Sequence, residues 1–201
     1  MRMFGSGHQI GSHTWSHVDL TYASSETRQY QIRELERALG NIIGRAPTYL
    51  RPPYGSCSSD CVVEMERMGY HVVNFDLDTK DYLHNLPVNI DVSKKTFSGA
   101  LDAGGGVGSF LVLAHDPLEQ TAKTLVPAML ERIRQGGYRA VTVGECLGDP
   151  AANWYRSPPG APLSLATSWD QATRDNATDQ GHDERRDNRR LGPYRSPESS
   201  V

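Results

Sequence analysis

His13-Thr14-Trp15-Ser16-His17 sets two histidines four residues apart, directly after Gly7-His8-Gln9-Ile10-Gly11. On a helical turn, side chains four apart share one face, so both imidazoles would reach one metal ion at the roughly 2 Å that zinc prefers. A bare H-x-x-x-H also fits two solvated surface histidines. The pattern therefore decides nothing until the rest of the chain shows what could surround it.

Downstream, the hydrophobic spacing alternates between helix and strand. Ser24 or Ser25 caps a helix carrying Ile32, Leu35, Leu39, Ile42 and Ile43 on one face, and Gly44 ends it. Residues 48–51 read as a short strand. Ser58 or Ser59 then opens a helix with Val62, Met65 and Met68, stopped by Gly69. Residues 70–75 form a second strand, 90–101 a helix, 109–114 a buried strand, and 118–134 a helix with Leu125, Met129 and Ile133 on one side. Gly136-Gly137 precedes a last strand over 138–143. Alternation of this kind implies parallel βα units. About four strands plus a stub at His8–Ile10 are too few for a closed barrel of roughly eight strands. The expectation is an α/β fold with an open sheet, or a barrel whose opening strands are missing.

The chain has 201 residues, a formal net charge of -3 and 37% hydrophobic residues. That suits one domain with a real core and gives no reason to expect nucleic acid as a partner. No apolar run approaches the roughly 20 residues of a membrane span, and Met1–Gly7 lacks the apolar core of a signal peptide. On this reading the chain is cytosolic and monomeric. The three cysteines point elsewhere. A local disulfide between Cys57 and Cys61 leaves Cys146 either as a buried thiol or as half of a bridge; a Cys-x-x-x-Cys zinc site has no second close pair to complete it. From Tyr155 onward charge is dense and apolar residues sparse, so residues 155–201 are expected to be a disordered tail after a domain over 1–154. Asn176-Ala-Thr is a glycosylation sequon of low specificity, and Gly104–Gly106 reads as a turn without the spacing of a phosphate loop.

Three further segments carry chemistry. Arg51-Pro52-Pro53-Tyr54-Gly55 follows a strand directly, which puts a guanidinium and a rigid turn where α/β proteins build their sites. Asp76, Asp78 and Asp81 crowd after the next strand and repel one another unless neutralised. His115 ends the most apolar strand, placed as a general acid among packed neighbours.

In this order the four segments resemble the motifs of the polysaccharide deacetylase family, the NodB-homology carbohydrate esterases. His13-Thr-Trp-Ser-His17 resembles H-[ST]-x-x-H, Arg51–Tyr54 is similar to R-x-P-Y, Asp78-Thr-Lys-Asp81-Tyr82 resembles D-x-x-D-W with tyrosine for tryptophan, and Leu113-Ala-His115 matches L-x-H. The resemblance spans residues 7–150 and is nearest to fungal chitin deacetylases. It implies an incomplete, distorted (β/α) barrel and hydrolysis of N-acetyl groups on chitin or another N-acetylglucosamine polysaccharide. His13 and His17 would bind zinc, or another divalent transition metal such as cobalt; His115 would protonate the departing amine with Asp81 paired to it; Arg51 would orient a catalytic base. Tyr54, Tyr82, Leu113 and Trp15 would line the substrate groove, Cys57 and Cys61 would pair, and a parent protein would be secreted to the cell wall or beyond.

The resemblance also exposes a gap. The family's opening T-F-D-D segment supplies the base and a third metal ligand, and no aspartate precedes Asp19. The expectation is an amino-terminally truncated domain whose third protein ligand is missing. Asp19 and Asp116 are the replacements to consider. Activity is then impaired, and the alternative is a carbohydrate-binding remnant without turnover.

Overall fold

The structure, a computed structural model, describes residues 2–160. A short helix α1 (Arg2–Gly5) precedes the histidine segment, with the Phe4 ring edge-on to Tyr155 at 5.4 Å. Helix α2 (Ser25–Ile43) begins where Ser24 accepts a hydrogen bond from the Thr27 N–H, and ends at Gly44, whose φ of 72° is the left-handed stop glycine provides. Strands β1 (Ala46–Pro47) and β2 (Tyr49–Leu50), helix α3 (Ser59–Arg67) and strand β3 (His71–Val72) come next. Then come β4 (Leu77–Asp78), α4 (Ile90–Ala103), β5 (Val112–Leu113), α5 (Val126–Gln135), α6 (Val143–Cys146) and β6 (Tyr155–Arg156).

The pairing is that of two βαβ units. β2 runs parallel to β3 with Leu50 opposite Val72, and β4 runs parallel to β5 with Asp78 opposite Leu113. A single parallel bridge joins Ser12 to Leu50, while β1 and β6 pair antiparallel. Among the described residues these are three two-stranded sheets and one bridge, not one continuous sheet. The alternation of strands and helices is as the spacing implies, in an α/β fold. The stub lies at Ser12 rather than at 8–10.

Each unit has its own apolar cluster. Leu20, Ile32, Leu50, Cys61, Met65 and Tyr70 pack under the first; Leu77, Phe97 and Leu101, with Phe110, Met129, Ile133 and Tyr138 against them, pack under the second. The inner face of α2 departs from its apolar spacing. Ile42 is exposed, whereas Arg28, Gln31 and Glu36 are buried. Burial of such groups is tolerable only when every donor and acceptor is met. Arg28 meets the Leu20 and Thr21 carbonyls and the carboxylates of Asp60 and Glu64; Glu36 accepts from the Tyr70 hydroxyl at 2.7 Å and pairs with Arg156.

Three other expectations are corrected. Residues 138–143 form no strand: the Tyr138 hydroxyl donates to the Leu101 carbonyl at 3.0 Å, and Thr142 with Glu145 builds a capping box that starts α6. The helix expected over 118–134 is interrupted by a π turn at Thr121–Leu125. Pro127 has no N–H and its ring would strike the carbonyl four residues back, so the chain widens just before it. Tyr155 and Arg156, assigned to the tail, form β6, and the Tyr155 hydroxyl accepts from the Ile10 N–H at 2.7 Å. Residues 161–201 of that tail, with the sequon, lie outside the described residues.

Cys57 and Cys61 are joined in a disulfide with Cα atoms 5.3 Å apart, which removes the zinc alternative for this pair. Cys146 is free and exposed, not buried, with its Sγ 3.9 Å from the Ser109 hydroxyl. A loop this short constrains the unfolded chain by about 2 kcal/mol. Replacing Cys57 and Cys61 together by serine should lower the free energy of unfolding in urea by about that amount, and a reductant should then cause no further loss in the variant while reproducing it in the parent.

Candidate active site

Each of the four segments begins just past the carboxyl end of a parallel-paired residue or strand. His13 follows the bridge at Ser12, Arg51 follows β2, Thr79–Tyr82 follows β4, and His115 lies two residues past β5. Within each paired set the segments point the same way: the Ser12 bridge and β2 carry His13 and Arg51 to one end, and β4 and β5 carry Asp81 and His115 to one end.

The first two segments are stitched by backbone. Ser12 N–H donates to the Tyr49 carbonyl at 2.7 Å, and Arg51 N–H donates to the Ser12 carbonyl at 3.0 Å. His13 Nδ1 then lies 2.5 Å from the Arg51 carbonyl, an acceptor only, so Nδ1 carries the proton. Nε2 is left with its lone pair and accepts from the Arg51 guanidinium at 3.2 Å. Burial lowers the pKa of His13; the Arg51 carbonyl opposes this, and the charges of Arg51, His17 and His115 add to the lowering. The charge of His115 is thus felt at His13. Burial also lowers the pKa of Arg51.

Residues 13–17 are not a helical turn, contrary to the expectation from their spacing. The chain instead turns twice through left-handed backbone, at Thr14 (φ 65°) and His17 (φ 58°), and the Thr14 hydroxyl accepts from the His17 N–H at 3.1 Å. This brings the two imidazoles edge to face with centroids 4.9 Å apart, and the His17 ring meets Tyr54 likewise at 4.7 Å. Tyr54 itself has φ 59°, and Lys80, between Asp78 and Asp81, has φ 53°. Every described non-glycine residue with positive φ thus lies in one of the four segments. Strain of this sort gathers where geometry serves a function.

The third and fourth segments meet at Asp81. Its fully buried carboxylate accepts from His115 Nδ1 at 2.8 Å and Tyr82 N–H at 3.0 Å on Oδ1, and from His115 N–H at 2.6 Å and the Thr121 hydroxyl at 2.8 Å on Oδ2. Burial would raise its pKa, but the hydrogen bonds from His115 and Thr121 outweigh that and hold it below the ordinary value. The His115 proton is thereby fixed on Nδ1, which leaves Nε2 with its lone pair. The Tyr82 ring stands edge-on to His115 at 5.5 Å and its hydroxyl donates to Asp78. Leu113 is buried, whereas Trp15 is half exposed and joins none of these hydrogen bonds or ring contacts.

His13 and His17 fit the imidazole part of a metal site, with His13 held in the required tautomer by a carbonyl. Among the described residues no group of three His, Cys, Asp or Glu completes it. Asp19 and Asp116 join no such group, and Asp19 Oδ1 accepts from the Thr21 N–H at 2.9 Å.

One positioning residue escaped the sequence reading. Buried Gln31 of α2 accepts from the Ser16 N–H at 2.7 Å and donates to the Ser16 hydroxyl at 2.8 Å, gripping the middle of the histidine loop. The only sequence signal was a glutamine on the inner face of an amphipathic helix.

A family model described as polysaccharide deacetylase matches residues 1–73. The chain is similar to a chitin deacetylase of Colletotrichum lindemuthianum, 45% identical over 156 residues, which cover 78% of this chain and 63% of that one. A probable peptidoglycan-N-acetylglucosamine deacetylase of Arthroderma benhamiae is 42% identical over 160 residues, covering 79% and 36%. The chain therefore spans less than two thirds of the length of either relative. Against the solved structure of the chitin deacetylase from the fungal pathogen Colletotrichum lindemuthianum the TM-score is 0.75 at 46% identity, covering 78% of this chain and 69% of the other.

The lowered pKa of Asp81 fixes a sign. A depressed carboxylate stabilises the fold fully above its unfolded value near 4, and that contribution is lost as pH falls through the lower folded value. Asp81→Asn should cost about 2 kcal/mol at pH 7 and should flatten the loss of stability as pH falls below about 4, measured as denaturant midpoints at descending pH.

Proposed function

We propose a hydrolytic role for this chain, which belongs to the polysaccharide deacetylase family: removal of N-acetyl groups from a polysaccharide of N-acetylglucosamine, with chitin favoured. The observation that supports this reading is a tautomer-fixed His13 packed against His17 and capped by the Arg51 guanidinium, with a carboxylate-held His115 whose charge bears on His13. The choice of chitin follows the 45% identity to a chitin deacetylase; the relatives' common chemistry is the acetylated glucosamine unit.

His13 and His17 would hold the metal, zinc by the donor type. When bound, such an ion acidifies water towards neutrality and polarises the acetyl carbonyl. Arg51 keeps a positive charge at the mouth of the site and steadies His13 through its own carbonyl. His115 gives its Nε2 proton to the departing amine once protonated, and Asp81 orients the ring by accepting from Nδ1. Tyr54, Tyr82, Leu113 and Trp15 line the groove for the sugar and its acetyl group. The two parallel ladders, 12–50–72 and 77–112, belong to an incomplete, distorted (β/α) barrel. The disulfide fits an oxidising compartment, hence secretion to the cell wall or beyond. No described helix is long and apolar enough to cross a membrane.

A second reading is glycan binding without turnover. It is favoured by the Arg51 guanidinium resting on His13 Nε2, the nitrogen the metal would need. A two-imidazole site competing with a cation binds zinc weakly, so deacetylation by this chain would be slow.

Zinc titration by calorimetry and acetate release from chitin oligomers separate the readings. His13→Ala and His17→Ala should each abolish measurable zinc binding, and His115→Ala should lower acetate release about 100-fold or more while leaving zinc binding intact. Oligomer binding with no acetate release at saturating zinc would establish the second reading and overturn the first.

A further inference from the structure

Of the four hydrogen bonds on Asp81, three come from nearby turns. The two from His115 tie carboxylate and imidazole to each other, and the one from the Tyr82 N–H ties the carboxylate to its own turn. The fourth comes from the hydroxyl of Thr121, forty residues downstream, at the start of the π turn that leads into α5. It is the one bond that anchors the pair to a helix.

We propose that Thr121 is a positioning residue of this site, its hydroxyl fixing the rotation of the Asp81 carboxylate and, through it, the ring of His115. The inference rests on the proton-donor role of His115 in the proposed deacetylation. A terminal carboxylate turns easily about its last bond, so two donors on each oxygen are what hold it. Thr121 suits the task because its branched side chain has few rotamers and is completely buried, which aims the hydroxyl proton at one acceptor. The π turn sets its position: Val126 N–H reaches back to the Thr121 carbonyl, ahead of Pro127, which cannot donate. Neighbouring contacts keep the segment in place, with Leu118 N–H on the His115 carbonyl at 3.1 Å and Gln120 N–H on the Asn85 side chain at 3.0 Å. The other acid of this turn is engaged apart from Asp81: Asp78 accepts from Lys80 N–H and from the Tyr82 hydroxyl.

Thr121→Val keeps the shape and removes the donor, and Thr121→Ser restores it. Carboxyl and imidazole nuclear magnetic resonance on the full chain reads the outcome directly. In Thr121→Val the titration midpoint of Asp81 should rise by about one unit, and the Nδ1–H form of His115 should give way to a mixture of tautomers. Acetate release should show kcat lowered about tenfold with KM changed less than twofold, and serine should recover both. A merely structural role would lower the unfolding midpoint and leave titration, tautomer and kcat unmoved, and that result overturns the proposal. Should valine fail to fold, the parent protein decides: a Thr121 hydroxyl proton protected from solvent exchange is required, and its absence overturns the proposal equally. If the parent chain releases no acetate, the deacetylase reading fails while the resonance measurements still decide the anchor.

Discussion

The site depends on one parallel bridge, between Ser12 and Leu50. Its two backbone hydrogen bonds set the register of the histidine segment against β2, and the next residue on each side is then His13 and Arg51. Register leaves little freedom: a slip by one residue would turn every side chain to the opposite face. The Nδ1 contact of His13 to the Arg51 carbonyl is thus a consequence of the ladder continuing by one residue, and the tautomer of His13 depends on it.

Beyond the bridge the backbone is strained, and magnitudes show how much support it needs. Thr14, His17, Tyr54 and Lys80 sit in left-handed backbone that costs L residues about 1–2 kcal/mol each. Against a typical net stability of about 5–15 kcal/mol this is a large share. Net hydrogen bonds contribute about 1 kcal/mol apiece, so no single one offsets it. In the histidine loop the offset is distributed: Gln31 holds Ser16 at two points and Thr14 holds His17. The inner face of α2 therefore serves two purposes at once, burying Ile32 in the core and presenting polar groups that shape the loop above it.

This double use explains what could be read in advance. Apolar period and stop glycines marked α2, α3 and α4 within a few residues, and strand ends marked the four segments, because those signals are local. The inward turn of Arg28, Gln31 and Glu36 was invisible, since their partners Leu20, Ser16 and Tyr70 come from other elements. Residues 138–143 read as a strand because apolar alternation cannot tell a ladder from a core-packed tyrosine followed by a capping box. The helical turn drawn for 13–17 failed for the converse reason: spacing of four suits a helix, but two left-handed residues bring the rings together as well. Residues 118–134 read as one unbroken helix, so neither the π turn ahead of Pro127 nor its delivery of Thr121 to Asp81 was legible.

The two βαβ units also divide the electrostatic labour. In the first, Arg51, His17 and His115 all bear on a part-buried His13, and like charge together with burial keeps that imidazole in its neutral, lone-pair form. In the second, a fully buried carboxylate with four donors stands behind His115. In the proposed deacetylation these surroundings would separate two histidines of identical intrinsic chemistry in role, one as a donor of electron pairs and the other as a carrier of a proton. Neither unit contains both environments. In that reading the chemistry needs both units, and each apolar cluster must keep its own strand ends in register.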